Sequence, residues 1–471
     1  KLEREGLPET LLAFPGKVRV DALHNRIFIA DTGHNRVIEA SLDSGTVQAV
    51  FGSGAPGQRE GSFEQAELDL PEGMAYSPDG RLLYVADTGN NEVREINLQD
   101  GRVTTLIGTG VQADSPLPGT APDVALNSPW ALALAPGVLY IAMAGSHQIW
   151  RMDLRTKRGE SLAGSGAEGA VDGPAADAAL AQPSGVSLSP DGKRLYFANS
   201  EGSAIRYVEL PQGRVVTLAG PTGSLFDYGD RNGTGRFALF QHPLGVVFYR
   251  GIVYAADTYN DKIKAINPSS GAVTTIGGGP GSGWRDGSEP LFSEPGGLDA
   301  ADGKLYVADT NNHSIRVIDL ATNTTSTLVL KGLAQLGGPH DPYETKKVRL
   351  GALSVAAGPG VVRLHVTFPS GYAANAEAPS EIALQSQSAN VVKLTGVSSF
   401  SGAGPRFPME FPAAFSPGET VLTVNLSIVY CREQEASVCL IHQARLEVPV
   451  TVDAATSAGG LQTLEVHYQV E

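Results

Sequence analysis

The sequence predicts an all-β chain: a six-bladed β-propeller followed by a small C-terminal β-sandwich. The first observation is a repeat. Six times a short apolar strand runs into a polar turn, a version of Ala-Asp-Thr-Gly-Asn-Asn, starting at Ala30, Ala86, Ala142, Ala198, Ala256 and Ala308. The residues after these alanines, Asp31, Asp87, Met143, Asn199, Asp257 and Asp309, are 56, 56, 56, 58 and 52 positions apart. Such a period means that each unit buries its apolar face against its neighbours. The second observation is that each unit divides into four short strands. In the second unit these are Gly73 to Tyr76, Leu82 to Ala86, Glu92 to Ile96 and Val103 to Gly108. They are rich in Val, Ile, Leu, Tyr and Thr and are separated by Asp-Gly and Asn-Asn turns. The third observation is that the period stops. Beyond residue 331 a Gly/Pro stretch leads into alternating strands such as Val361 to Val366, Val421 to Tyr430 and Leu440 to Val452.

The elements follow in order. Residues 1–12 read as an N-terminal linker, 13–331 as the propeller, 332–347 as a second linker and 348–471 as the sandwich. The second strand of each unit is apolar throughout, as in a strand covered on both faces. A solenoid of such units would need capping ends, which ring closure makes unnecessary. The first unit begins at its inner strand and the sixth ends with an outer one, so the ring is expected to close without borrowing a strand. Before each inner strand stands a proline, often followed by glycine, as in Leu70-Pro71-Glu72-Gly73 and Glu294-Pro295-Gly296-Gly297. Proline presets φ there, and glycine permits close approach near the axis. Both repeated turns are expected to crowd one rim of the channel.

Composition bounds the function. Among 471 residues stand 56 Gly and 30 Pro, which fits many turns and few helices. The net charge is −15, of which −2 falls from Thr345 onward and −13 on the propeller side. Nucleic-acid binding relies on Lys and Arg neutralising phosphates. So acidic a repeat body argues against it. No run of 18 apolar residues exists, so no membrane span is expected. A monomer is expected.

Candidate residues divide into turn formers and departures from the repeat. Asp31, Asp87, Asp257 and Asp309 are assigned to the turns, because an Asx side chain accepts from nearby backbone N–H groups. Met143 and Asn199 stand where the other units carry aspartate. With Trp130, His147 and Trp150 in the third unit, and Asp230 in the Asp227-to-Gly233 loop, they form the candidate partner-binding set. That loop has the look of a Ca²⁺ loop, but its twelfth position is Ala238 counted from Asp227 and Gln241 from Asp230, not an acid. The nine histidines show no metal-ligand spacing, and no cofactor or metal is expected. The inner strands are largely apolar, with Glu72 and Glu294 the exceptions at the channel mouth. No catalytic residue is assigned. The competing class is a lactonase- or lyase-like propeller enzyme with a channel metal. Cys431 and Cys439 flank seven residues and are expected across a hairpin, where a disulfide would stabilise by about 2.6 kcal/mol. A static staple and an exchangeable pair both fit that spacing.

The Tyr-Val-Ala-Asp-Thr-Gly-Asn-Asn turn, preceded by Pro-x-Gly, resembles the NHL repeat. The stretches from Tyr140 to Trp150, from Leu225 to Gly233 and from Gln241 to Gly245, with Tyr430-Cys431…Cys439, resemble one branch of that family. The branch joins a thioredoxin-like domain to an NHL propeller and a C-terminal β-domain. The resemblance implies a non-catalytic interaction scaffold that works with a thioredoxin-like domain, in cis upstream or in trans. Cys431 and Cys439 also resemble the paired cysteines of β-sandwich domains that exchange disulfides with thioredoxin-like partners, which implies an exchangeable pair here. The closely spaced active-site cysteines of the thioredoxin-like domain do not occur in this sequence. The compartment stays open between the cytosol, which is favoured, and a lumenal or periplasmic space.

Overall fold

Six antiparallel sheets follow one another through residues 18–327 of the computed structural model, each built from strands consecutive in the chain. The structure describes residues 12–211, 213–333, 347–374, 379–432, 435–454 and 460–470. The N-terminal linker, apart from Leu12, and most of the second linker lie outside them. Blade one runs Val18–Asp21, Arg26–Asp31, Arg36–Ser41 and Val47–Phe51, and blade six ends with Thr324–Thr327. In blades two to five the incoming connector adds a two-residue strand to the outer edge, such as Gly61–Ser62 in blade two. Blade one receives this edge contact from the far end of the ring: Lys331 bridges Thr46, and Val47 N donates to Lys331 O at 2.9 Å. Among the described residues no full strand is exchanged.

Six apolar clusters hold the described propeller together, and each draws on two successive blades. The last joins Val18, Ile27 and Ile29 of blade one to Tyr306, Ala308 and Ile315 of blade six. Glycine makes the inner crowding feasible. A Cβ on Gly245 would stand 3.0 Å from the Cα of Gly297 in the next blade.

The turn aspartates are fully buried and bind in three directions. One oxygen accepts the backbone N–H of the preceding connector: Ala13 on Asp31, Asp69 on Asp87, Gln241 on Asp257 and Ser293 on Asp309, each at 2.7 Å. The other oxygen accepts from a turn side chain, such as Asn90, Asn260 or Asn312. It also meets a buried cation from the third strand. Arg94, Lys264 and Arg316, seven residues on, reach Asp87, Asp257 and Asp309 at 3.1, 2.6 and 2.7 Å. Arg36 does the same for Asp31 at 2.7 Å. In blade four Asn199 keeps the connector bond, from Ala181 N at 2.8 Å, while Arg206 takes Asp172 as its anion at 3.0 Å. Blade three replaces both partners, with Met143 for the aspartate and Trp150 for the cation, both fully buried. An apolar pair there fills the space of an ion pair.

A second set of bonds links each blade to the next. The hydroxyls of Thr32, Thr88, Ser200, Thr258 and Thr310 donate to the carbonyls of Pro71, Pro129, Pro243, Pro295 and Pro15, the last closing the circle. Blade three has Ala144 at this position. The residue closing each turn is left-handed, with φ between 47° and 54°: Asn35, Asn91, His147, Ser203, Asp261 and His313. Each accepts from the residue before the next proline, as Asn91 Oδ1 does from Ser128 N at 2.8 Å.

The second compact unit, Asp341–Glu471, packs two sheets face to face. One carries the long hairpin Gly418–Arg432 and Glu435–Asp453, flanked by Lys347–Arg349 on one side and Pro379–Ser386 and Ser399–Ala403 on the other. The other has the order Val392–Leu394, Met409–Phe415, Gly358–Thr367 and Gln462–Gln469. Alternate residues such as Leu364, Val424, Leu446 and Val466 form the shared core, as the alternating pattern requires.

Two predictions follow from the buried pairs. Asp87→Ala leaves Arg94 uncompensated and is expected to destabilise the propeller by about 3–5 kcal/mol in denaturant unfolding. Asp87→Met with Arg94→Trp, which copies blade three, is expected to cost less than half as much. Equal losses would contradict the pairing. Burial also pushes Asp87 up to about 7 and Asp309 up to about 6, against the opposing bonds from the turn asparagines and arginines. The folded state therefore holds these protons more tightly than the unfolded chain, where aspartate titrates near about 4. Their contribution is complete below about pH 4 and is lost as pH rises through about 6 to 7. The Asp87→Asn/Asp309→Asn variant is expected to show a flatter fall of unfolding free energy across that window. A slope equal to the wild type would refute the assignment.

Candidate functional site

The structure distributes the candidate binding residues differently from their sequence grouping. Met143 and Trp150 do not reach a surface. They pack with Tyr84, Leu106 and Ile107 between blades two and three, and Trp150 Nε1 donates to Gln148 at 2.9 Å. They fail as partner anchors because the site of a buried ion pair admits only side chains enclosed on all sides. Asn199 is buried in its connector bond, and His147 Nδ1 accepts from Gln182 N at 3.2 Å as the left-handed turn residue. Asp230 completes the cation site of blade five, bonded to Lys262 and, at 3.0 Å, to Lys264. Burial raises its pKa, but these two lysines bring it below the ordinary value. These residues hold the blades together. Trp130 is half-buried and borders a cavity, and Asp230, although paired, is exposed.

The exposed cluster lies where blades four and five meet, on the rim that carries both repeated turns. A cavity of about 400 Å³ there is edged by Glu201, Phe226, Tyr228, His242 and Tyr259. Phe226 is 86% exposed, Tyr228 56% and Tyr259 52%. The aromatics stand on a fixed base. Gly229 N donates to Phe240 O at 2.9 Å, and Asn260 Nδ2 donates to Gly229 O at 2.9 Å, tying the Leu225-to-Gly229 loop to the blade-five turn. Tyr259 stacks on His242, with centroids 4.5 Å apart and planes at 9°. Burial lowers the His242 pKa, opposed by Glu201 3.5 Å away, so the ring is neutral at pH 7.

Sequence reasoning missed this cluster by two columns of the repeat. The position after the turn threonine is Gly33, Gly89, Gly145, Glu201, Tyr259 and Asn311. That column points outward, and it changes character at blades four and five.

A second cavity, of about 370 Å³, opens at the channel mouth between Leu70, Glu72, Thr88, Asn91, Ser128 and Trp130. Trp130 Nε1 is buried there without a hydrogen-bond partner. Below it Lys17 reaches across the channel, donating to Leu244 O of blade five at 2.6 Å and Gly296 O of blade six at 2.8 Å. Burial brings Lys17 down to about 8 and pushes Glu72 up to about 7, each opposed by the other's charge. The sequence had marked Glu72 as an exception among apolar inner strands. Its counter-charge, Lys17, stood unnoticed at the start of blade one. Glu294, the other exception, is exposed at the rim, where its N–H donates to Asp261 at 2.7 Å.

In the sandwich, backbone register sets Cys431 directly opposite Cys439 on adjacent strands of the long hairpin. Their side chains lie outside the described residues. Glu433, which the sequence places beside them, does so too.

Comparison with known proteins agrees with the repeat architecture. A family model described as NHL repeat matches residues 292–318, within blade six. The chain is 36% identical over 500 residues to Protein SUPPRESSOR OF QUENCHING 1, chloroplastic, of Arabidopsis thaliana, covering 99% of this chain and 46% of that protein. It is 34% identical over 506 residues to NHL repeat-containing protein 2 of Bos taurus, covering 96% of this chain and 69% of that one. The human NHL repeat-containing protein 2 is 32% identical over 520 residues, with 99% and 71% covered. The chain thus spans under half the length of the plant relative. With matches over nearly its whole length, and with the blades and turns described above, the chain belongs to the NHL-repeat family that includes NHL repeat-containing protein 2.

Proposed function

We propose that this chain is a non-catalytic interaction module whose propeller docks a thioredoxin-like domain through the turn face of blades four and five. The observation that carries this reading is the triad of exposed aromatics, Phe226, Tyr228 and Tyr259, held on pinned backbone around one cavity. Rigid aromatics beside a concavity are the side chains that anchor protein interfaces, because they bury large area at small entropic cost. Glu168 and Glu201 border the same cavity and favour a partner surface that is apolar with basic surroundings. The thioredoxin-like occupant comes from the family resemblance.

The Cys431–Cys439 pair extends the proposal. Directly opposite residues on antiparallel strands stand about 4.5–5.5 Å apart between Cα atoms, within disulfide range. A thiolate of the partner's reduced dithiol attacks one sulfur, giving a mixed disulfide and releasing the other cysteine as thiolate. The partner's second thiol then displaces the first cysteine. Two electrons pass to the pair, and the partner leaves as a disulfide. The competing reading, a propeller enzyme with a channel metal, meets the Lys17 ammonium of blade one, a cation already bonded to carbonyls of blades five and six near the axis.

Two measurements test the module. Binding of a reduced thioredoxin-like domain, supplied in trans and followed by calorimetry, is expected to weaken at least tenfold in Phe226→Ala/Tyr228→Ala/Tyr259→Ala. Unchanged affinity would remove the docking face. Thiol labelling of Cys431 and Cys439 across a graded redox buffer is expected to show a cooperative two-electron transition near the potential of thioredoxins, about −270 mV. Thiols that label under every condition, or a pair reduced only far below that potential, would leave a static element in place of an exchanging one.

A further inference from the structure

The sandwich carries a group of side chains that no part of the docking proposal uses. The strands Gly358–Thr367 and Gln462–Gln469 pair in parallel, with Arg363 opposite Glu465 and His365 opposite His467. Leu364, Val366, Leu464 and Val466 face the core. The alternation of a pleated strand therefore sends Arg363, His365, Glu465 and His467 to the outer face together. These residues are about a hundred positions apart in the chain, so no histidine spacing could reveal them. His365 and Glu465 are half-buried and His467 is exposed. The two imidazoles stack, with centroids 4.3 Å apart and planes at 15°. His365 Nε2 and Glu465 Oε2 are 2.8 Å apart. One ligand atom from each of His365, Glu465 and His467 lies within 4.8 Å of the others.

We infer that His365, Glu465 and His467 form a binding site for one divalent transition-metal ion of the zinc, nickel or copper type. Two imidazoles and one carboxylate are the donor set such ions take, with the remaining positions left to water. Ligand atoms around a tetrahedral ion at about 2.0–2.1 Å stand roughly 3.3 Å apart. Because the two ring planes are nearly parallel, closing on an ion requires one ring, the exposed His467, to turn toward it. The surroundings favour an added cation. Arg363 bonds Glu465 Oε1 at 2.7 Å and leaves Oε2 turned toward His365, while Glu410 takes the other side of the guanidinium at 2.7 Å. With neutral imidazoles the five side chains carry one net negative charge. On binding, the ion takes the place of the proton shared between His365 and Glu465, and Arg363 remains as the group that orients the carboxylate.

The test uses the full chain, free of any affinity tag, with Cys431→Ser and Cys439→Ser so that thiolates cannot compete. Titration with Zn²⁺ and with Ni²⁺ by calorimetry is expected to show one saturable site. His365→Ala and His467→Ala are each expected to weaken it at least tenfold, and Glu465→Gln by a similar factor. Glu410→Gln, which changes charge without removing a ligand, is expected to change affinity less than threefold. Loading the parent chain with Cu²⁺ is expected to give an electron paramagnetic resonance spectrum with coupling to two nitrogens, a readout that needs no variant. Absence of a saturable site, wild-type affinity in both histidine variants, or a copper spectrum without nitrogen coupling would each overturn the site.

Discussion

The propeller depends on carboxylates that have no water around them. Each turn aspartate sits at the end of a second strand, fully buried, and must find all its hydrogen bonds inside the protein. It finds them in three separate pieces of chain: the incoming connector, its own turn and the third strand. That requirement fixes the path of the connector onto each blade. It also draws an arginine or lysine into the interior, where such a side chain is otherwise costly. Arg94, Lys264 and Arg316 are fully buried for this reason. Blades three and four show that the geometry has other solutions. Blade four moves the anion from the turn to Asp172, and blade three abandons charge for the Met143 and Trp150 pair.

Function separates from this framework by position within the same turn. The aspartate column points inward and is consumed by structure. The column two places later points to solvent, and there Glu201 and Tyr259 face the loop that carries Phe226 and Tyr228. A repeat fold thus offers a rigid ring of turns on which single outward positions vary without disturbing a core. The channel is used differently. Lys17 ties blade one to blades five and six, next to Glu72 of blade two, so the axis is braced by charge and backbone carbonyls.

Much of the fold was legible because its signals are local. The period of the Ala-Asp-Thr turns, the four strands per unit and the change of pattern after residue 331 all lie within short windows. The hairpin register of Cys431 and Cys439 was equally readable from the strand pattern on both sides. The binding candidates were less readable. Departure from the repeat at Met143 and Asn199 was a real signal, but one of compensated packing. Its partner change, Trp150 in the place of an arginine, sits seven residues on and becomes meaningful only when the second and third strands are paired.

The sequence by itself determined the number of blades, the order of the two β units and the turn role of the aspartates, since periodicity and turn chemistry are properties of neighbouring residues. Tertiary structure decided which side chains share a surface. Phe226 meets Tyr259 through the juncture of two blades, and His365 meets His467 through a parallel pairing of strands a hundred residues apart. Lys17 reaches past blade six to Leu244 O of blade five. Such meetings depend on ring closure and sheet register. Both are set by the summed burial of many apolar residues, and no short stretch of the chain encodes them.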